Sequence, residues 1–254
     1  MSPSSSPPVS VGIIANPASG RDIRRLTSRA SVFPNAEKAS MIVRAIAGLE
    51  AAGVEHVLLM PDKGSISGLV YRALGLDGRS TEGRRVRFID MTVSESIDDT
   101  LHATEAMCAA GVSAIIVLGG DGTHRAVAKR CGQVPLLALS TGTNNAFPEM
   151  RVATVAGLAA GLIATGAVPA AAGLRRNKLL RVRCDDRDDI ALVDAVISTD
   201  RYIGARAVWK TESLAAAYLT FAEPQAIGLS AIGGLLQPVG RRDPGGLAIQ
   251  LSED

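Results

Sequence analysis

A cluster of three glycines around one acidic residue is the strongest chemical signal in the sequence. The segment AIIVLGGDGTHRAVAK, residues 114–129, runs from an apolar stretch through Gly119, Gly120, Asp121 and Gly122 into a helical pattern. Backbone N–H groups beside glycines can approach a phosphate closely because no Cβ blocks the way. A carboxylate repels phosphate, so Asp121 needs a role of its own there. It can hold Mg²⁺ or accept the proton of an attacking hydroxyl during phosphoryl transfer.

Two structural explanations compete with phosphate binding for GGDGT. An Asp-Gly pair between strands is typical of a type I′ hairpin turn, but the flanking residues do not alternate as hairpin strands do. A strand-to-helix turn with Asp121 or Thr123 as the N-cap is the stronger alternative, although a cap explains none of the three glycines. The named Walker A and GxGxxG patterns do not match, because no G-K-[ST] follows and the glycine spacing differs. His124, the next residue, could reach a phosphate, but such a histidine is more often on the surface at the start of a helix, and we expect it there.

Two other loops have a similar composition, ANPASGRDIRR at residues 15–25 and STGTNNAFP at residues 140–148. Taken alone, the first is more typical of a turn with a solvated basic helix start, and the second is equally typical of a polar loop. Three such loops at three predicted strand ends favour one ligand site, since ligands bind at the carboxyl ends of strands in open parallel sheets. The candidate phosphate- or nucleotide-binding residues are Asn16, Ser19, Gly20, Gly119, Gly120, Gly122, Thr123, Thr141, Gly142, Thr143, Asn144 and Asn145.

Strands and helices alternate in the part of the chain that carries these loops. The predicted strands are residues 11–16, 56–61, 85–91, 114–118 and 135–140, and the predicted helices are residues 36–52, 65–74, 96–110 and 124–131. Strands that are apolar throughout predict a parallel sheet covered on both faces. We therefore predict a disordered tail over residues 1–10 and an α/β phosphate-binding domain over residues 11–150.

The pattern changes after about residue 175. Residues 179–186, 189–198 and 246–252 are strand-like, with few helical patterns between them. The acidic segment RCDDRDD, residues 183–189, is typical of a solvated hairpin rather than a metal site. We predict a β-rich substrate domain over residues 151–254 and expect it to be incomplete, because the sequence stops soon after a strand-like run.

Composition excludes several functional classes. The net charge of +2 and the aromatic content of 3% do not favour nucleic-acid binding. Three cysteines without paired spacing favour a reducing compartment and no structural zinc site. Residues 152–174 carry no charge, but their Ala and Gly content and Pro169 predict a packed helix ending near Gly166 rather than a membrane span. We therefore expect a cytoplasmic protein with no nucleic-acid partner and no confident metal site.

The motifs NPASG, GGDGT and GTNN, in this order, resemble the superfamily that joins NAD kinases and diacylglycerol-type lipid kinases. The flanking sequence, with GARAVW and AIGLSAIGG later in the chain, is most similar to the ATP-NAD kinase-like group, which includes the acetoin-catabolism X protein. The resemblance covers residues 11–254. It implies an α/β domain followed by a β-rich domain, and ATP with a divalent metal such as Mg²⁺. It also implies that Asp121 is the catalytic or substrate-orienting carboxylate, that Asn144 contacts the ligand, and that a homo-oligomer is a candidate assembly.

The substrate side departs from this family pattern. Val193 and Asp194 stand where NAD kinases carry an Asn-Glu pair that holds the nucleotide substrate, and valine cannot form a side-chain hydrogen bond. Asp194 is therefore only a weak substrate-side candidate. The leading hypothesis is an ATP-dependent kinase with NAD as the first candidate acceptor. The alternatives are a kinase of a lipid or of a metabolite related to acetoin catabolism, and a nucleotide-binding regulator without catalysis.

Overall fold

The chain forms two compact units. A computed structural model describes residues 8–19, 33–63, 65–75, 85–142, 144–200 and 211–251. Among these residues, the first unit contains residues 8–19, 33–142 and 148–174, and the second contains residues 144–147 and 175–251. The predicted boundary at residue 150 stays a prediction.

The first unit is built on a five-stranded sheet in which every neighbouring pair is parallel, in the order β3-β2-β1-β4-β5. The strands are β1 (Ser10–Ala15), β2 (His56–Leu59), β3 (Val86–Phe88), β4 (Ala114–Gly119) and β5 (Leu136–Ser140). The helices are α1 (Asn35–Ala51), α2 (Ser67–Ala73), α3 (Ile97–Ala109), α4 (Asp121–Arg130), α5 (Ala153–Ala164) and the short α6 (Ala170–Gly173).

Helices cover both faces of this sheet, which explains why its strands are apolar throughout. Val11 and Ile13 of β1 belong to the core formed with α1 and α5, whereas Ile14 packs on the other face with Met107 of α3. Gly12 allows α3 to approach, because a Cβ there would lie 2.5 Å from Met107 Sδ. Both predicted core faces are therefore present.

Small residues bring α1 and α5 into backbone contact. A Cβ added to Gly48 would lie 2.6 Å from Leu158 N, and one added to Gly157 would collide with Ala45 O. The charge-free segment 152–174 is thus rich in Ala and Gly because it packs closely against another helix. Among the described residues, no helix has both the length and the apolar character needed to cross a bilayer.

The second unit is dominated by antiparallel strands, which confirms the predicted α/β and β-rich fold class. The strands β6 (Leu180–Cys184) and β7 (Arg187–Ala191) form a hairpin, and β8 (Asp194–Ser198), β9 (Leu214–Leu219) and β10 (Leu247–Gln250) form a sheet in the order β10-β9-β8. A 3₁₀ turn (Thr211–Ser213) and α7 (Leu229–Leu236) complete the unit. The acidic segment is the exposed hairpin expected from the sequence, with Asp185 at φ 54° in its turn.

The single strand predicted over residues 189–198 is wrong, because the structure contains two strands there. A turn at Leu192 and Val193 separates β7 from β8. Thr220 holds this turn, since its backbone N–H donates to Val193 O at 2.8 Å and its hydroxyl donates to Leu192 O at 2.8 Å. The turn has no Gly, Pro or Asn that would reveal it in the sequence.

Candidate functional site

The order β3-β2-β1-β4-β5 reverses its direction of growth between β1 and β4. Ligands of doubly wound sheets bind at this switch point, beyond the carboxyl ends of the strands. Asn16 directly follows β1, and Gly120 directly follows β4. The backbone N–H of Asn16 donates to Leu118 O at 3.1 Å, so the two chain segments are already joined where they leave the sheet.

The Asn16 side chain joins the first loop to GGDGT. Its Nδ2 donates to Thr123 Oγ1 at 3.0 Å, and its Oδ1 accepts from the backbone N–H of Ala18 at 2.8 Å. One side chain thus shapes its own turn and fixes the neighbouring loop. The sequence-based expectation that these two loops converge is confirmed.

The loop after β5 joins the same group through Thr141. The hydroxyl oxygens of Ser19 and Thr141 lie 2.8 Å apart, and Thr141 N donates to Gly119 O at 3.3 Å. Ser19, Thr123 and Thr141 are all buried, with exposed fractions of 9%, 6% and 0%. These predicted phosphate donors form hydrogen bonds between loops, and their role as ligand contacts stays a prediction.

Asp121 is the first residue of α4, and the helix begins three residues before the predicted start at His124. The N-cap is Gly120, in an extended conformation at φ −96° and ψ −175°, and it has no side chain with which to cap. The hairpin explanation is therefore wrong. The strand-to-helix turn is present, but its N-cap is Gly120 rather than Asp121 or Thr123. The Asp121 carboxylate lies in the first helical turn, where the helix dipole favours negative charge.

The glycines of the motif have different structural reasons. A Cβ on Gly119 would lie 2.5 Å from Thr123 Cβ, so this glycine is required by packing against the start of α4. A Cβ on Gly122 would meet nothing within 4 Å. Gly122 is exposed, and the space beside it is open to a ligand.

His124 is fully buried, which contradicts the expectation that it lies on the surface. Burial lowers the pKa of His124, and the carbonyls of Gly120 and Val117 and the Asp121 carboxylate oppose this effect without cancelling it. Nδ1 lies 2.8 Å from Gly120 O, an atom that can only accept, so Nδ1 carries the proton of the neutral ring. His124 therefore holds the Gly120 carbonyl in place at the start of the helix.

Lys38 is a site residue that the sequence reasoning missed. It lies in α1 with 0% of its surface exposed. Its Nζ donates to the carbonyl oxygens of the first loop, Asn16 O at 3.0 Å, Pro17 O at 3.2 Å and Ser19 O at 2.8 Å. A signal was available, because Lys38 stands three and four residues before Met41 and Ile42 on the buried face of the helix.

The remaining predicted residues belong to the third loop and the second unit. Gly142 O accepts from Ser140 Oγ at 2.8 Å in the first unit. Asn144 and Asn145 are half-buried and group with the second unit, as does Asp194, the half-buried first residue of β8. Their ligand roles stay predictions. The remaining two candidates, Gly20 and Thr143, lie outside the described residues.

Arg241 anchors the segment that follows Asn145 and was also missed. Its Nη1 donates to Phe147 O at 2.9 Å and its Nη2 donates to Ala146 O. The guanidinium lies 4.0 Å from the centre of the Phe221 ring, and its Nε lies 3.3 Å from Glu223 Oε2. Arginine suits this position because its planar fork can donate in several directions at once.

The candidate site is compatible with a metal ion that arrives with a nucleotide. Among the described residues, no group of three or more His, Cys, Asp or Glu side chains could hold a metal by itself. Mg²⁺ is usually held by one or two carboxylates, with phosphate oxygens and waters as the other ligands. Asp121 can supply one such carboxylate.

Comparison with known proteins agrees with this geometry. Residues 11–168 match the family profile of the ATP-NAD kinase N-terminal domain, which places the three loops in a kinase-type fold. Residues 178–254 match the profile of the acetoin catabolism protein X C-terminal domain. Acetoin catabolism protein X of Cupriavidus necator is 54% identical over 248 residues, covering 95% of this chain and 69% of that protein. The chain therefore belongs to the NAD kinase-like family, near acetoin catabolism protein X, and the resemblance seen in the sequence is confirmed.

Proposed function

We propose that the protein is an ATP-dependent kinase that transfers a phosphoryl group to a hydroxyl, with NAD as the first candidate acceptor. The supporting observation is the joining of three strand-end loops at the switch point, through Asn16 with Thr123 and Ser19 with Thr141. This arrangement presents glycine backbone and the Asp121 carboxylate at one edge of the sheet. Phosphoryl transfer depends mainly on positioning and electrostatic stabilisation, which such a preformed site supplies.

In the proposed reaction, backbone N–H groups at the start of α4 bind phosphate oxygens of ATP. The acceptor hydroxyl attacks the γ-phosphorus, a new oxygen–phosphorus bond forms, and the bond to ADP breaks. Asp121 takes the hydroxyl proton and later releases it to solvent. In its alternative role, Asp121 would hold the Mg²⁺ that is bound with ATP. The Mg²⁺ would neutralise charge on the phosphate oxygens.

The acceptor is less constrained than the phosphate side. Val193 accepts from Thr220 through its carbonyl, and its side chain offers no hydrogen bond to a ribose or adenine. This observation favours a second candidate, a kinase of a lipid or a pathway metabolite, and the relative's name points to acetoin catabolism as that pathway. The third candidate is a nucleotide-binding regulator that transfers no phosphoryl group, because Val193 lacks a side-chain contact that catalysis on NAD would use.

The first test is a coupled assay for NADP formation from NAD, ATP and Mg²⁺, with wild type and Asp121→Asn measured together. We expect the variant to lower turnover by about 10²–10⁴-fold, the range for loss of a general base, while calorimetry shows ATP still bound. Asp98→Asn is the matched control, because Asp98 occupies the first turn of α3 as Asp121 occupies that of α4. Asp98→Asn should retain full turnover.

The outcomes test the role of Asp121 and distinguish the three candidate functions. Equal turnover in wild type and Asp121→Asn would remove Asp121 from the reaction. ATP binding without NADP formation would lead to a screen of lipid and metabolite acceptors for phosphorylated products. ATP binding without any phosphorylated product would favour the regulator.

A further inference from the structure

We propose that Lys38 is a positioning residue whose ammonium group keeps the three strand-end loops joined. Its expected effect on ATP binding rests on the proposed function, whereas its expected effect on the loops does not. The observation is a fully buried lysine whose Nζ donates to three carbonyl oxygens of the first loop.

The ammonium group lies among several oxygen acceptors. Its three N–H donors are shared among four oxygens, the carbonyls of Asn16, Pro17 and Ser19 and Asn35 Oδ1, which lies at 3.0 Å. These four distances run from 2.8 to 3.2 Å, the range of good hydrogen bonds. A donor group between these three carbonyls stabilises their inward orientation, because buried carbonyls need partners.

The first loop transmits this constraint to the other two. Asn16 and Ser19, whose carbonyls Lys38 holds, are the residues whose side chains reach Thr123 and Thr141. Ser19 Oγ also donates to Asn16 O at 2.8 Å, so one carbonyl receives both Ser19 and Lys38. Turning these carbonyls outward would move both side chains away from their partners. Lys38 therefore acts on GGDGT through the first loop.

Lys178 provides a matched control. Its Nζ donates to the carbonyls of Gly240 at 2.8 Å and Gly245 at 2.6 Å, in the second unit. It is likewise a lysine that ties loop carbonyls together, so substituting it has a similar chemical effect. Neither Gly240 nor Gly245 belongs to any of the three candidate loops.

The first experiment is chemical rescue of Lys38→Ala. Alanine retains Cβ, so propylammonium supplies the missing three carbons and the ammonium nitrogen. We expect Lys38→Ala to weaken ATP binding at least about tenfold in calorimetry, and propylammonium, but not 1-propanol, to restore part of it. Lys178→Ala should bind ATP as wild type does, with or without the amine. Wild-type ATP affinity in Lys38→Ala, or equal rescue by 1-propanol, would overturn the proposal.

The second experiment needs no nucleotide. It uses Lys38→Met, which retains the side chain as far as Cε and replaces Lys38→Ala if that variant does not fold. Hydrogen exchange should accelerate in peptides covering all three loops, including the Thr141 amide that donates to Gly119 O. Faster exchange in residues 16–19 alone would make Lys38 a local anchor and contradict the inference. If wild type binds no ATP, the proposed function fails, and this exchange pattern alone decides the role of Lys38.

Discussion

Replacing Gly119 with alanine should destabilise the first unit, whereas the same replacement at Gly122 should not. The two glycines lie three residues apart in GGDGT and would each gain one methyl group. At Gly119 that methyl would lie 2.5 Å from Thr123 Cβ and 2.7 Å from both Thr123 Cγ2 and Oγ1. At Gly122 it would meet nothing within 4 Å. The pair therefore separates the packing reason for glycine from the ligand-binding reason.

The expected size follows from which atoms can move. Thr123 Cβ is fixed to the helix backbone, so no rotamer change relieves that contact, and the start of α4 must shift. Such overpacking typically costs about 1–3 kcal/mol, and the strained Asn16–Thr123 hydrogen bond would add about 0.5–1.5 kcal/mol. Alanine recovers about 0.5–1 kcal/mol of backbone entropy. We expect Gly119→Ala to lose about 0.5–4 kcal/mol from these contributions, and Gly122→Ala to gain about 0.5 kcal/mol from helix propensity.

Urea unfolding followed by circular dichroism measures the stability of the two variants, and calorimetry measures their affinity for ATP. Gly122→Ala should be at least as stable as wild type but bind ATP about tenfold more weakly, because its methyl would occupy the space that a phosphate needs. A Gly119→Ala protein as stable as wild type would refute the packing argument. A Gly122→Ala protein with wild-type ATP affinity would refute the close approach of phosphate to this backbone.

Two other predictions concern groups beside and beyond the motif. Because burial lowers the pKa of His124, only the unfolded chain gains a proton as pH falls below about 6.5. The free energy of unfolding should then decrease by at most about 1.4 kcal/mol per pH unit as the pH falls. In urea unfolding between pH 7 and 5, His124→Gln should reduce this dependence on pH. An unchanged dependence in the variant would exclude His124 as its source. Arg241→Met should lose about 1–3 kcal/mol of stability in urea, because the carbonyls of Ala146 and Phe147 lose their donor. The exposed Arg242→Met should stay within about 0.5 kcal/mol, and equal values for the two variants would contradict the anchoring role.

The first unit was predictable because its sequence signals are local. Each strand that is buried on both faces is a continuous apolar run, and each long helix has an apolar stripe that ends at a glycine or a turn. The convergence of the loops after β1, β4 and β5 followed from strand direction alone. The start of α4 was missed because Gly120 and Gly122 obscured a helix that begins between them.

The second unit was harder to predict because its residues are chosen for contacts distant in sequence. The strand β9 is LAAAYL, whose alanines have low β-propensity, and α7 contains two adjacent glycines. A Cβ on Gly234 would lie 2.5 Å from Pro224 N, so this glycine exists for packing rather than for flexibility. Lys38 and Arg241 were missed for a related reason. Both donate to loop carbonyls, and because every residue has a carbonyl, the sequence does not show which ones need a donor.

The site therefore has an inner and an outer layer with different chemical tasks. The buried hydroxyls of Ser19, Thr123 and Thr141 form hydrogen bonds that join the loops, so in this conformation they set geometry. The backbone around Gly122 and the half-buried Asp121 carboxylate stand further out, where a ligand can reach them. A substitution in the inner layer should then disturb binding and stability together, because it displaces whole loops. A substitution at Asp121 should lower transfer, because its carboxylate is the proposed proton acceptor.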